Sequence, residues 1–85
     1  MELTADQRKR GERIIPGLTI ESLTRLNLSA NGNPAYLVKF TDGSERRTSS
    51  DAGISYGIGN PEYRGVPLDV LVTRAGRIAY LARSV

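Results

Sequence analysis

The segment Val66-Pro67-Leu68-Asp69-Val70-Leu71-Val72-Thr73-Arg74-Ala75-Gly76-Arg77-Ile78-Ala79-Tyr80-Leu81-Ala82-Arg83 reads as a β-hairpin from end to end. Apolar residues recur at every second position, the period at which side chains of a strand return to one face. Leu68, Val70 and Val72 therefore fall on the inward parity, and Leu71 on the outward one. Arg74-Ala75-Gly76 fits a three-residue loop with Gly76 in the left-handed region that closes such a turn. On the returning strand, Arg77 to Arg83, strict alternation groups Tyr80 with Ile78 facing in and sends Leu81 out.

The residues upstream of this hairpin are less regular. Between 50 and 65, Ser50 is placed to cap a short helix with Asp51 in its first turn, and Ile54 and Ile58, one helical turn apart, face the core. Gly53, Gly57 and Gly59 keep that helix short, and Asn60-Pro61 and Gly65 route a loop that exposes Tyr63 and Arg64. Before it, Tyr36, Val38 and Phe40 alternate with Leu37, Lys39 and Thr41, so Leu37 is expected outward. Asp42-Gly43 predicts a tight type I′ turn, and Ser44 to Ser49 form a return strand polar on both faces, as suits a sheet edge. Residues 18 to 29 form one long first strand with Leu18, Ile20, Leu26 and Leu28 in one parity. Leu23 breaks its alternation and predicts a bulge. Ala30-Asn31-Gly32-Asn33-Pro34 then makes a turn too long for a two-residue hairpin. Residues 1 to 16 form a basic arm or short helix, capped by Thr4 and Gln7 in a capping box, carrying Arg8-Lys9-Arg10 and Arg13, and stopped by Pro16-Gly17.

The order is strand, strand, strand, short helix, strand, strand. A chain of 85 residues has room for one small domain, here residues 17 to 85. A mainly β, five-stranded OB-like or SH3-like barrel leaves the fewest open edges.

Two absences narrow the chemistry. With neither Cys nor His in the chain, thiolate metal sites, disulfides, cysteine nucleophiles and Ser-His-Asp relays are all ruled out. The acidic residues are scattered, so no metal or cofactor is indicated, and an enzyme is not expected. Gly53-Ile54-Ser55-Tyr56-Gly57 spells the pattern of a hydrolase nucleophile elbow, but it lacks both the buried strand before it and a base for the serine proton. Gly57-Ile58-Gly59 begins a dinucleotide fingerprint that Glu62 spoils. Asn27-Leu28-Ser29 matches a glycosylation sequon on an expected strand. No apolar run approaches the length of a membrane span, and charges stand where a signal peptide needs its apolar stretch, which predicts an intracellular protein.

The charge balance is modest, with 12 basic against 9 acidic residues and a net charge of +3. Arg, which suits bidentate phosphate contacts, far outnumbers Lys. Arg74 and Arg77 sit on the last hairpin, and Arg46 and Arg47 join them if the preceding hairpin curls that way. Tyr63 is the ring left free to stack on a base, with Tyr56 as the other candidate. The four arginines and Tyr63 form the candidate nucleic-acid surface. The alternative is a protein-docking face of Leu37, Leu71 and Leu81, serving a host protein or self-association as a homo-oligomer.

Asn33-Pro34, Phe40-Thr41-Asp42-Gly43, Ser50-Asp51, Asn60-Pro61, Arg64-Gly65-Val66-Pro67 and Thr73-Arg74-Ala75-Gly76-Arg77, in this order, resemble a recurring group of small actinobacteriophage (mycobacteriophage-like) proteins. The resemblance spans roughly residues 24 to 83 and omits the basic arm. Its motifs are mainly turns, so they specify backbone more than chemistry. It implies a phage protein acting in the cytoplasm of a bacterial host, and carries over no activity.

Overall fold

The computed structural model describes residues 1–27 and 31–85. Among the described residues, six strands and two short α-helices follow one another: α1 (Ala5–Lys9), β1 (Arg13–Leu18), β2 (Ile20–Arg25), β3 (Tyr36–Phe40), β4 (Glu45–Arg47), α2 (Ala52–Gly57), a 3-10 turn (Pro61–Tyr63), β5 (Leu68–Val72) and β6 (Ile78–Arg83). The strands form two antiparallel sheets of three, ordered β1-β5-β6 and β2-β3-β4. Their apolar faces share one core, built from Leu68, Val70, Val72, Ile78 and Leu81 of the first sheet, Ile20, Val38 and Phe40 of the second, Ile54 of α2 and Ile58 at its C-cap.

The mainly β reading holds, but the five-stranded barrel is replaced by two three-stranded sheets whose hydrogen-bond ladder does not close. Among the described residues, β4 and β6 are joined by a single bridge, Thr48 to Ile78, and β2 meets the loop after the 3-10 turn at Ile20 and Arg64. The sixth strand comes from the arm. Arg13 to Ile15 pair with β5 as the start of β1, and the chain crosses to the second sheet at Thr19. The expected long first strand is thus split between two sheets. Its Leu28, the sequon through Leu28 and Ser29, and Ala30 of the following turn lie outside the described residues.

Three bulges shape the core. Ile15 pairs with Val70 and Leu18 with Leu68, leaving one extra residue on β1, where Gly17 has φ of 72°. Ile20 pairs with Phe40 and Ser22 with Lys39, so Glu21 is the extra residue, as the misplaced Leu23 predicted. Leu71 pairs with Tyr80 and Val72 with Ile78, which leaves Ala79 unpaired. An extra residue inverts the facing of everything beyond it. Beyond Ala79, Leu81 turns into the core at 2% exposure and Tyr80 turns out at 56%, the reverse of what strict alternation predicts.

The turns are set by local chemistry. Thr4 and Gln7 form the expected capping box: the Gln7 amide donates to Thr4 Oγ1 at 3.1 Å, and the Thr4 amide to Gln7 Oε1 at 2.8 Å. Asp51, not Ser50, caps α2, its Oδ1 accepting from the Gly53 amide at 2.7 Å. The β5–β6 hairpin has the expected loop: Gly76 has φ of 83°, and the Thr73 amide donates to the Arg77 carbonyl at 2.8 Å. The β3–β4 hairpin uses the same design in place of a type I′ turn. Gly43 alone has positive φ, 90°, and the Phe40 amide donates to the Ser44 carbonyl at 2.9 Å across Thr41-Asp42-Gly43. Asp42 stays out of the left-handed region because its carboxylate is engaged elsewhere, with Oδ1 accepting from the Ser44 amide and hydroxyl at 2.9 and 2.6 Å.

Candidate functional site

The arginines of the two hairpins converge only in part. Adjacent residues of a strand point to opposite faces, so Arg46 and Arg47 of β4 separate. Arg46 reaches across to the β5–β6 hairpin, where its Nη1 donates to the Gly76 carbonyl at 3.1 Å. Arg47 pairs with Leu37 on the outer face of the second sheet, away from that tip. Arg74 opens the loop, Arg77 follows it, and both are exposed. The basic arm supplies an unforeseen partner. The Arg74 stem lies over the Gly11 backbone so closely that a Cβ at Gly11 would stand 3.0 Å from Arg74 Cγ. This contact brings Arg10 beside Arg74, and both line a cleft of about 420 Å³ together with Glu12, Thr73 and Asp51.

Charge pairing leaves this end cationic. Among the described residues the ion pairs are Arg10 to Glu12 at 2.6 Å and Lys39 to Glu21 at 3.5 Å. Arg74 and Arg77 are held by neither, so their guanidinium groups remain available to an anion.

A second cleft, about 300 Å³, lies between α2 and β6 and is lined by Asp51, Gly53, Gly57, Tyr63 and Tyr80 over a floor of Ile54, Ala79 and Leu81. Asp51 and Ala79 line both clefts, which therefore adjoin. Tyr63 is not the free ring expected: it is half-buried and packs against the core. Burial raises its hydroxyl pKa above 10.0, with further contributions from the Glu62 charge and from Tyr80, so it stays protonated at neutral pH. The exposed ring in this cleft is Tyr80. Strict alternation hid it. The spacing of three between the core residues Ile78 and Leu81, like that between Ile20 and Leu23, is the signal that could have found it.

The alternative leucine face does not assemble. Leu81 is in the core, Leu71 is buried at 7% exposure between Ile14 and Tyr80 on the outer face of the first sheet, and half-buried Leu37 lies on the outer face of the second. The outward placement of Leu71 holds for its face but not for its exposure, because flanking side chains on both neighbouring strands cover it. Ser55 of the elbow-like pattern is buried on α2, its Oγ donating to the Ser49 carbonyl at 3.4 Å. Among the described residues, no helix is long and apolar enough to cross a membrane. Compared with protein-family models, curated proteins and solved structures, the chain finds no match.

Proposed function

We propose that this chain is a non-enzymatic, phage-type binding protein that holds single-stranded nucleic acid in the cytoplasm of a bacterial host. Arg74 and Arg77 take backbone phosphates, and the tyrosine cleft takes a base. The supporting observation is that the two clefts adjoin: Arg74, which neither ion pair holds, stands beside an aromatic cleft, the combination of charge and ring that single-strand binders use. Arg46 is a positioning residue here, since its guanidinium is spent on the Gly76 carbonyl, and Arg47 lies outside the track.

A fluorescence anisotropy titration with a labelled oligothymidylate across a salt series tests the reading. Two phosphate contacts on a single strand give a slope of log K against log salt of about −1.4, or about a sevenfold loss of affinity between roughly 50 and 200 mM salt. The double variant Arg74→Ala/Arg77→Ala should bind more weakly, with the slope reduced to near zero. Failure to saturate at low ionic strength, or an unchanged slope in the variant, would refute it.

A further inference from the structure

We infer that the cleft between α2 and β6 is a guanine-selective base slot read by the Asp51 carboxylate; the inference rests on the single-strand reading and deepens it. The cleft has an apolar floor in Ile54 and Leu81 and an exposed aromatic wall in Tyr80, which suit the face of a planar ring. On its helical side Gly53 and Gly57 add no side chain beside Ile54, and the position of a Cβ on Gly57 has no heavy atom within 4 Å. Space for a ring is therefore left on that side.

Asp51 is the charged group in this lining. Its Oδ1 holds the Gly53 amide at 2.7 Å, which fixes the carboxylate in place and leaves acceptor capacity on both oxygens. An ionised carboxylate only accepts, so it selects the base edge that offers donors. Guanine presents two adjacent N–H groups, N1–H and N2–H, to both oxygens at once. Adenine and cytosine each place a ring acceptor beside their amino group, and thymine and uracil flank their single N–H with two carbonyls; in each case a lone pair faces the negative charge. Arg74 in the neighbouring cleft receives the phosphate attached to the selected nucleotide.

The experiment compares an oligothymidylate with the same strand carrying one central guanine, and with one carrying a central adenine, as deoxyribose and as ribose versions, against wild type and two variants. Asp51→Asn keeps a good helix cap while removing the double acceptor. Gly57→Leu leaves Asp51 untouched and fills the slot; circular dichroism checks that both are folded. Wild type should bind the guanine strand about tenfold or more tighter than the other two. Both variants should bind the three strands alike, having lost that preference, while keeping the salt dependence of wild type, and Gly57→Leu should also weaken oligothymidylate because the filled cleft no longer takes a base. A preference confined to one sugar would assign DNA or RNA as the source and still carry the base-edge contact. Equal affinity for all strands, with salt-sensitive binding intact, would overturn the slot and leave the single-strand reading standing. No binding to any strand would overturn both.

Discussion

Replacing Gly76 with Ala tests the contact that ties the two sheets together at the cationic tip. Gly76 and Gly43 close hairpin loops of the same design with nearly the same φ, 83° and 90°. An L-residue in this left-handed region costs about 1–2 kcal/mol, offset by about 0.4–1 kcal/mol because Ala restricts the unfolded chain. Gly43→Ala, whose Cβ meets nothing within 4 Å, should therefore lose about 1 kcal/mol, or about 5 °C in Tm for a domain this small. At Gly76 the added Cβ stands 3.1 Å from Arg46 Nη1, the atom that donates to the Gly76 carbonyl. Displacing that guanidinium forfeits a hydrogen bond worth about 1 kcal/mol at a half-buried site, so Gly76→Ala should lose about 10 °C. Thermal unfolding of both variants, alone and on an Arg46→Met background, isolates the difference. On that background the two substitutions should cost the same. An equal loss for the two single variants, or an excess at Gly76 that survives Arg46→Met, would refute the contact as the cause.

Two further perturbations address the core and the β3–β4 turn. Leu81→Ala should lose about 2–5 kcal/mol in urea unfolding, as a fully buried leucine does, while Leu37→Ala should lose about 1 kcal/mol or less; similar losses would contradict the bulge at Ala79 that separates their environments. The Ser44 hydroxyl, then its amide, holds the Asp42 carboxyl below its ordinary pKa of 3.8. Its contribution to stability is thus fully present above 3.8 and is lost as pH falls through the lowered folded value. Ser44→Ala should raise the Asp42 midpoint in an NMR titration and be less stable than wild type at neutral pH but not in strong acid; an unmoved midpoint would count against the hydroxyl.

Local signals were legible where one short motif settles the geometry. The capping box of Thr4 and Gln7, the Gly76 loop and the paired Ile54 and Ile58 of α2 and its C-cap could each be read from a few residues, because their energetics are local. Thr41-Asp42-Gly43 was misread for a physical reason: a type I′ turn needs two left-handed residues, and Asp42 spends its carboxylate on Ser44 instead. The path of the chain between sheets was not legible. Nothing in Pro16-Gly17-Leu18-Thr19 distinguishes the end of an arm from a bulged strand about to change sheets, since that outcome depends on β5, some fifty residues later. The candidate site fared likewise. Arg74 and Arg77 declared themselves by their place on a hairpin, whereas Arg10 joins them only through the approach of the Arg74 stem to Gly11.

The bulges connect core and site by one cause. Ile15 and Leu18, Ile20 and Leu23, and Ile78 and Leu81 are each three apart, and a flat strand would bury only one of each pair. One added residue between them lets both face inward, and local twist increases with it, which helps two short sheets curve around a small core. At Ala79 the same residue that turns Leu81 in turns Tyr80 out, and Ala79 itself lines both clefts. Without the bulge, Tyr80 would compete for the interior and Leu81 would be stranded on the surface. Burying Leu81 and presenting an aromatic wall next to the arginine track are therefore one folding event, and the aromatic half of the site forms only as the hydrophobic core does.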